Sequence, residues 1–518
     1  MWLRHFDGCT KKYGIYGLRL MWSIVMTPIG STRSTNKTTL VLIAAALIYV
    51  LIWGFFSPKM VASTDEYAYA KNAFLLGQGK IFVDEPALYC QNVTLPSGKV
   101  VSNYPIGKSL QLIPFALLER MDALFWTGLL THLLNFFLLI QILRYKKVNP
   151  LWALIYLVFP AFQWESRTLY AELWLLTFYF GAYLAWMQKK ANGAFVAGML
   201  LGLGIFIRYD ALLGLFAFIA SAVWAKYRHG EKNQLLPLVA GAAIPLALVA
   251  AYNTIVFGSP FTTGYGSVSS LVAAIPLPQL ISELATFPVL LFFVLPFSIW
   301  AANQSKADRV LMLTLSIITF LFFVRFYSFW ALGTSIPQIF TVRLRYFIPL
   351  LGMLLIPTLE WYARHWNVFA ARYIHSRSIN RLIGIAVALV LIGGTIGLHA
   401  THDRFLQERS TINTAIHAII PEDARIIGSA DDCMHFLPAI HGKKYYVDVS
   451  TKPLLEDDRS TYVMRISYST QENNGTPRQG VVDAQRQELD TFVLAHEDEL
   501  EKVHEDSRYG LTIWRATP

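Results

Sequence analysis

"LVLIAAALIYVLIWGFF" (Leu40–Phe56) is followed a few residues later by "VASTDEYAYAKNAFLLGQG" (Val61–Gly79). The first stretch is uncharged and long enough to enter a bilayer. The second puts two adjacent carboxylates, Asp65 and Glu66, where that helix leaves the lipid. Ser63 and Glu66 have the spacing of a capping box, in which the serine accepts from the residue 66 N–H and the glutamate reaches back. Capping accounts for Glu66, and the helix dipole favours an acid such as Asp65 in a first turn. Tyr67, Tyr69 and Phe74 suit a helix lying in the interface plane. Neighbouring helical residues do not share a face, so the pair is not a facing glycosidase-type couple. If one of the two is a base, it is Asp65.

The rest of the chain agrees with a membrane reading. Of 518 residues, 54% are hydrophobic and 15% charged, against about 25% charged in soluble domains. The fold expected is a polytopic α-helical membrane protein of about eleven spans, at 39–57, 122–143, 150–163, 172–187, 193–207, 210–225, 235–256, 284–302, 309–326, 345–361 and 382–400. The segment 150–163 is short and ends at Pro160.

Loop charge sets the expected orientation. The basic N-terminal tail, "RYKK" (144–147), "QKK" (188–190), "KYRHGEK" (226–232) and "KADR" (306–309) fall on one side when spans alternate. That side is assigned to the cytoplasm. Most carboxylates before residue 400 then face outward, among them Asp65, Glu66, Glu165, Glu172 and Asp210. The formal charge of +10 is uneven: residues 401–518 hold 13 basic and 20 acidic residues, net −7, leaving net +17 before them. The basic excess reads as topology and lipid contact rather than nucleic-acid binding. Arg19 interrupts the only apolar stretch before Leu40, so no signal peptide is expected.

Three divisions follow: a cytoplasmic tail (1–38), a transmembrane domain with outer loop 58–121 (39–400), and a small extracytoplasmic α/β domain (401–518). In the last, "RFLQERSTINTAIHAI" and "DAQRQELDTFVLAHEDELEKV" read as helical, and "ARIIGSA", "KKYYVDVS" and "GLTIWRA" as strands. "SADDCMH" (Ser429–His435) has metal-ligand residue types without metal-ligand spacing and reads as a surface turn. Cys90 and Cys433 both fall outside; a disulfide and unpaired packing are both open.

Several cations join the acids on the outer side. "YPIGKS" places Lys108 just before a span, "WESRTLYAELW" holds Glu165, Arg167 and Glu172, "IRYD" holds Arg208 and Asp210, and "RLRYFIP" holds Arg343, Arg345 and Tyr346. Singly, each cation suits snorkelling or pairing with an acid. Together they run against the charge bias of the chain, and phosphate is the ligand such clusters suit.

"DEYAYAKNAFLLGQG", "YPIGKS", "LYAEL", "IRYD", "YNTIVFGSPFTTGY" (Tyr252–Tyr265) and "RLRYFIP", in this order, resemble the GT-C superfamily of integral-membrane glycosyltransferases. The closest branch is that of bacterial relatives of protein O-mannosyltransferases and the lipid A aminoarabinose transferase (glycosyltransferase family 39-like). The resemblance implies transfer of a sugar from a polyprenyl-phosphate carrier to an acceptor outside a bacterial cytoplasmic membrane. It implies Asp65 as base with Glu66 beside it, and Lys108, Arg208 and Arg345 at the carrier phosphate. Glu172 and Tyr346 fall in the same motifs, and Glu165 lies just before "LYAEL". "YPIGKS" departs from the family in lacking the second proline of a "PPxGK"-like loop.

The chemistry asks for the same parts independently. An acceptor hydroxyl needs a positioned base, and a departing phosphate needs fixed cations. No metal is required, though Asp65, Glu66 and Glu165 are of a type to hold a divalent ion. The alternative class is a transporter or flippase, with ionisable sites near the midplane. The span interiors carry little charge, with His132 the main exception.

Overall fold

The computed structural model describes residues 35–230, 234–267, 298–304, 308–325, 344–373, 377–429, 432–451, 460–466 and 479–517. Among these, six helices are long and apolar enough to cross a membrane: Lys37–Phe55, Met121–Tyr145, Ala211–Arg228, Leu235–Phe257, Leu344–Trp366 and Ile385–Ile419. Ala191–Ile207 and Arg309–Phe323 are shorter apolar helices, and the apolar helix Glu172–Trp186 lies buried among the rest. Most of the expected span 284–302 lies outside the described residues.

The expected span at 150–163 is not one helix. It is a 3-10 turn (Pro150–Ala153) and two short helices, Leu154–Val158 and Pro160–Glu165, parted at Phe159. Pro160 has no N–H to give and forces the residue before it out of the helical region; Phe159 is extended at φ −71°, ψ 121°. Neither piece is long enough to cross the hydrocarbon.

Small residues let the bundle close. A Cβ on Gly198 would sit 2.0 Å from the Leu238 carbonyl oxygen, and one on Gly241 would sit 2.0 Å from that of Phe195. Helices Ala191–Ile207 and Leu235–Phe257 therefore touch backbone to backbone, the contact that small residues permit between membrane helices.

The acidic helix spans Thr64–Gly77. Its aromatic residues pack against protein: Glu66 through Leu75 are all buried. After it come a three-stranded sheet of β1 (Phe82–Val83), β2 (Asn92–Thr94) and β3 (Val100–Ser102), in the order β1-β3-β2, and the helix Ile106–Ala116. A short hairpin of β4 (Thr262–Thr263) and β5 (Gly266–Ser267) follows helix Leu235–Phe257.

One helix, Arg377–Ile419, runs through the position of the boundary expected near residue 400. Beyond it lies a five-stranded sheet of β6 (Arg425–Gly428), β7 (Tyr445–Asp448), β8 (Thr461–Arg465), β9 (Leu500–Asp506) and β10 (Leu511–Ala516), ordered β7-β6-β8-β10-β9. β6 pairs in parallel with β7 and β8, while β10 is antiparallel to β8 and β9. Successive strand residues face opposite ways. Ile426 packs with Ile412 and Ile416 of the long helix and with Ile420 just beyond it, whereas Ile427 packs with Leu489 of helix Gln479–Ala495. The helical reading of 483–503 is thus half right: helix ends at Ala495 and β9 follows. "SADDCMH" is not a surface turn either, since Asp432, Cys433 and His435 are buried.

Four contacts fasten this sheet to the acidic helix and its loop. Cys90 and Cys433 form a disulfide with Cα atoms 6.0 Å apart. Tyr67 donates to the Phe436 carbonyl at 3.3 Å, Arg409 to the Ala62 carbonyl at 2.5 Å, and Tyr445 to Glu85 at 2.9 Å. The fully buried Lys71 holds the Cys90 loop in place, donating to the Cys90 and Gln91 carbonyls and to Asn92 Oδ1 at 2.6, 2.8 and 2.7 Å.

Candidate active site

Ser63 caps the acidic helix as its spacing predicts, accepting from the Glu66 N–H at 3.3 Å. Glu66, however, does more than return to the cap. One oxygen accepts from the Ala62 N–H and the other from the Leu169 N–H, both at 2.8 Å. Both of its oxygens are thereby committed to backbone, stapling the start of the helix to the 166–171 connection. Burial raises its carboxyl above the ordinary value despite those bonds.

Asp65 turns the other way and is not free. Its Oδ2 accepts from Arg345 Nη2 at 2.7 Å and its Oδ1 from the Tyr104 hydroxyl at 2.5 Å. Burial would raise its pKa, but the guanidinium and the hydroxyl outweigh that and hold it below the usual carboxylate range. Its side chain is still 27% exposed, against 2% for Glu172 and 10% for Asp210. Asp65 is the most accessible carboxylate of the cluster.

The cations converge on the same place. Arg345 sits in the 3-10 turn Leu344–Phe347 that enters helix Ile348–Tyr373. It lies over the rings of Tyr170 (4.3 Å) and Tyr346 (4.8 Å) and donates to the Tyr346 hydroxyl at 2.9 Å. Arg208 ends helix Ala191–Ile207 in an extended conformation and pairs with Glu172 at 2.5 Å and Asp210 at 2.9 Å. Its guanidinium is 5.5 Å from the centre of the Tyr346 ring. Glu172 links the two arginines, with Arg345 Nε at 4.0 Å.

Lys108 is buried and donates to Gln111 at 2.9 Å, a neutral partner. Among the described residues no carboxylate lies within ion-pair distance of it. Burial pushes its ammonium down to about 8, and the charges of Glu172, Glu165 and Glu66 only partly offset this. Gly107 makes its position possible: a Cβ there would meet the Phe206 carbonyl oxygen at 2.5 Å. The backbone before Lys108 thus rests on the backbone just before Arg208. The two cations share the field of Glu172.

Glu165 is buried behind this group with Oε2 lacking a hydrogen-bond partner among the described residues. Burial, followed by the charge of Glu172, pushes its carboxyl well above the ordinary value. Both causes favour its neutral form. Asp65, Glu66 and Glu165 do not assemble as a metal-binding trio: the oxygens of the first two are taken by N–H and O–H donors. No group of three metal-ligating residues occurs among the described residues.

Tyr104, Tyr170 and Tyr265 were not singled out by residue chemistry, although Tyr104, Tyr170 and Tyr265 stand in the motifs "YPIGKS", "LYAEL" and "FTTGY". The ring of Tyr104 lies 5.0 Å from Tyr69 and 5.8 Å from Tyr265, which is 6.3 Å from Tyr209. Tyr265 is delivered by the 252–265 motif. Gly258 stops the helix in the left-handed region at φ +80°, Asn253 donates back to the Pro260 carbonyl at 3.2 Å, and Gly264 packs so closely on Asn103 that a Cβ would lie 2.2 Å from its carbonyl oxygen. An aromatic row thus borders the charged cluster on one side.

No protein-family model matches the sequence, and no curated protein matches it. Solved structures do. The crystal structure of ArnT from Cupriavidus metallidurans bound to undecaprenyl phosphate aligns with a TM-score of 0.58 and 13% identity, over 93% of this chain and all (100%) of that one. The same protein in the apo state aligns with a TM-score of 0.54 and 13% identity, over 94% and 100%. At that identity the likeness is one of architecture, and it extends over nearly the whole chain: this chain shares the fold of the ArnT structures.

Proposed function

We propose that this protein is a membrane glycosyltransferase that moves a sugar from a polyprenyl-phosphate carrier to an acceptor hydroxyl at the outer face of a bacterial cytoplasmic membrane. The observation that carries the reading is the Asp65 cluster: one accessible carboxylate clasped by Arg345 and Tyr104, with Arg208 and Lys108 beside it. The similarly folded ArnT, crystallised with undecaprenyl phosphate, supports a lipid-phosphate ligand.

In this mechanism the carrier phosphate competes with Asp65 for Arg345, and Lys108, which has no acid to leave, is its first partner. Losing the guanidinium lets the Asp65 pKa climb back toward the ordinary carboxylate range, so the base becomes competent when the donor arrives. Asp65 takes the proton of the acceptor hydroxyl as that oxygen attacks the anomeric carbon. The bond from that carbon to the phosphate oxygen breaks, its electron pair leaves with the carrier, and the cations stabilise the second negative charge. Direct displacement inverts the anomeric centre. Glu66 holds the helix rather than the substrate. The division into tail (1–38), transferase bundle (39–400) and extracytoplasmic region (401–518) belongs to the same proposal.

Purified protein incubated with a panel of polyprenyl-phosphate sugars releases free carrier phosphate with at least one of them; release with none overturns the reading. Orientation is tested separately. A single cysteine at Ser450 is labelled from outside intact cells and one at Asn149 is not, both positions being exposed. The reverse pattern places the cluster on the cytoplasmic side.

A further inference from the structure

Arg167 is completely buried, and its surroundings are unlike those of Arg208 or Arg345. Nε donates to His402 Nδ1 at 2.9 Å, and Nη1 is 3.1 Å from His399 Nδ1. An arginine only donates. Both imidazoles must therefore accept at Nδ1 and carry their proton on Nε2. Arg167 Nη2 and His399 Nε2 have no hydrogen-bond partner among the described residues. Both residues are fully buried, and with Nδ1 of His399 accepting, the orphaned groups are all donors. No carboxylate among the described residues lies within ion-pair distance of the guanidinium, and arginine does not shed its proton to escape. A buried cation in that state costs several kcal/mol unless an anion joins it.

The location narrows the choice of anion. The cluster lies where helix Arg377–Ile419 crosses the end of the first helix and the 163–168 turn. Trp53 donates to the Ser166 carbonyl at 3.2 Å, Tyr49 and Ser166 share a hydrogen bond at 2.7 Å, and Gln163 donates to Thr395 at 2.9 Å. Phe56 and Trp164 close on His399 and His402 at ring separations of 6.4 and 4.3 Å. Both long helices present their other faces outward, with Phe55 83% and Val390 73% exposed. The cluster thus lies buried behind the apolar outer faces of two membrane helices, beside the end of the first.

We infer that Arg167, His399 and His402 form a second phosphate-binding site, separate from the Asp65 cluster, that takes the phosphate headgroup of a membrane lipid. Three N–H donors, two on Nη2 and one on Nε2, are matched to tetrahedral oxyanion oxygens, and guanidinium is the group best suited to them. Glu165 and Leu169 flank Arg167 in sequence, and Leu169 holds Glu66. A lipid seated here thereby braces the turn that supports the active site. The inference does not depend on the proposed transferase activity.

The test uses the full-length protein carrying Lys108→Met, which removes the uncommitted cation of the Asp65 cluster. Two probes are titrated separately, dioleoyl phosphatidic acid in neutral detergent and inorganic phosphate, with thermal stability and tryptophan fluorescence as readouts. Phosphatidic acid is expected to stabilise this protein and shift its fluorescence. His399→Asn, whose Oδ1 can replace Nδ1 as acceptor while the Nε2–H is lost, should weaken that binding by roughly tenfold or more. Arg167→Gln should abolish it; if that variant does not fold, His399→Asn alone decides. Saturation by inorganic phosphate at similar concentration would overturn the lipid assignment. Loss of all phosphatidic acid binding on Lys108→Met, or unchanged binding in His399→Asn, would overturn the second site.

Discussion

Asp65→Asn separates the base from everything else the carboxylate does. The side chain keeps its size and one acceptor oxygen, so it can still receive the Tyr104 hydroxyl, but its amide now faces Arg345 donor to donor. Arg345 retains the Tyr346 hydroxyl at 2.9 Å and Glu172 at 4.0 Å. The stability cost is therefore about 1–3 kcal/mol, below that of stranding a fully buried charge. Removal of a positioned base costs about 10²- to 10⁴-fold in turnover, or about 2.7–5.4 kcal/mol of barrier. Donor affinity moves the other way. A phosphate about 6 Å from the lost charge escapes at most about 3 kcal/mol of repulsion at an effective dielectric near 20, and Arg345 no longer has to leave an aspartate. The expected signature is folded protein, donor Kd unchanged or lower, and carrier release at saturating donor reduced at least 100-fold. Turnover within about threefold of the parent would refute Asp65 as base. Weakened donor binding would instead make the carboxylate part of the donor site.

Glu66→Gln can satisfy only one of the two backbone N–H groups that Glu66 serves, so melting temperature should fall more than the ratio of turnover to donor affinity; a collapse of turnover at unchanged stability would reverse the roles of the pair. Gly107→Ala puts a methyl 2.5 Å from the Phe206 carbonyl oxygen, and should destabilise by about 1–3 kcal/mol while weakening donor binding through the displaced Lys108; thermal melts and donor titration read the two effects. Glu165 has a folded pKa raised above its ordinary 4.5. Its contribution is thus fully present below about pH 4.5 and lost as pH rises through the folded value, so a permanently neutral Glu165→Gln should gain stability over the parent as pH is raised above the ordinary carboxylate range. Parallel melts that stay a constant interval apart would contradict this. Serine at both Cys90 and Cys433 should lower stability by about 2–5 kcal/mol, and intact-mass measurement after thiol labelling should show neither cysteine modified in the unreduced parent.

Residue types alone revealed the membrane class, the Ser63 cap and the gathering of Asp65, Glu172, Arg208 and Arg345, because lipid, helix ends and phosphate each demand particular side chains. What they could not reveal depends on contacts between distant segments. Glu66 looks like a local cap until Leu169 is seen to donate to it. Lys71 reads as an ordinary helix lysine until the Cys90 loop folds over it. Hydropathy counts Leu154–Val158 and Pro160–Glu165 as one stretch, since a proline break does not change apolarity. β8, "TYVMR", is a short buried strand in the middle of a sheet, with no alternation to betray it.

The helix Arg377–Ile419 has a practical consequence for dissecting the protein. At about 1.5 Å per residue, its 43 residues form a rod of about 65 Å. Its far end supplies Ile412 and Ile416 to one face of the terminal sheet. A truncation at the hydropathy minimum near residue 400 would keep that face covered but leave the rod's apolar half behind, and would separate Arg409 from Ala62. A fragment beginning after Ile419 would expose Ile426, Met464 and Ile513 to water. Neither cut yields a well-behaved soluble piece, so antibodies, nanobodies or fusion partners for this region should be raised against or attached to the intact membrane protein.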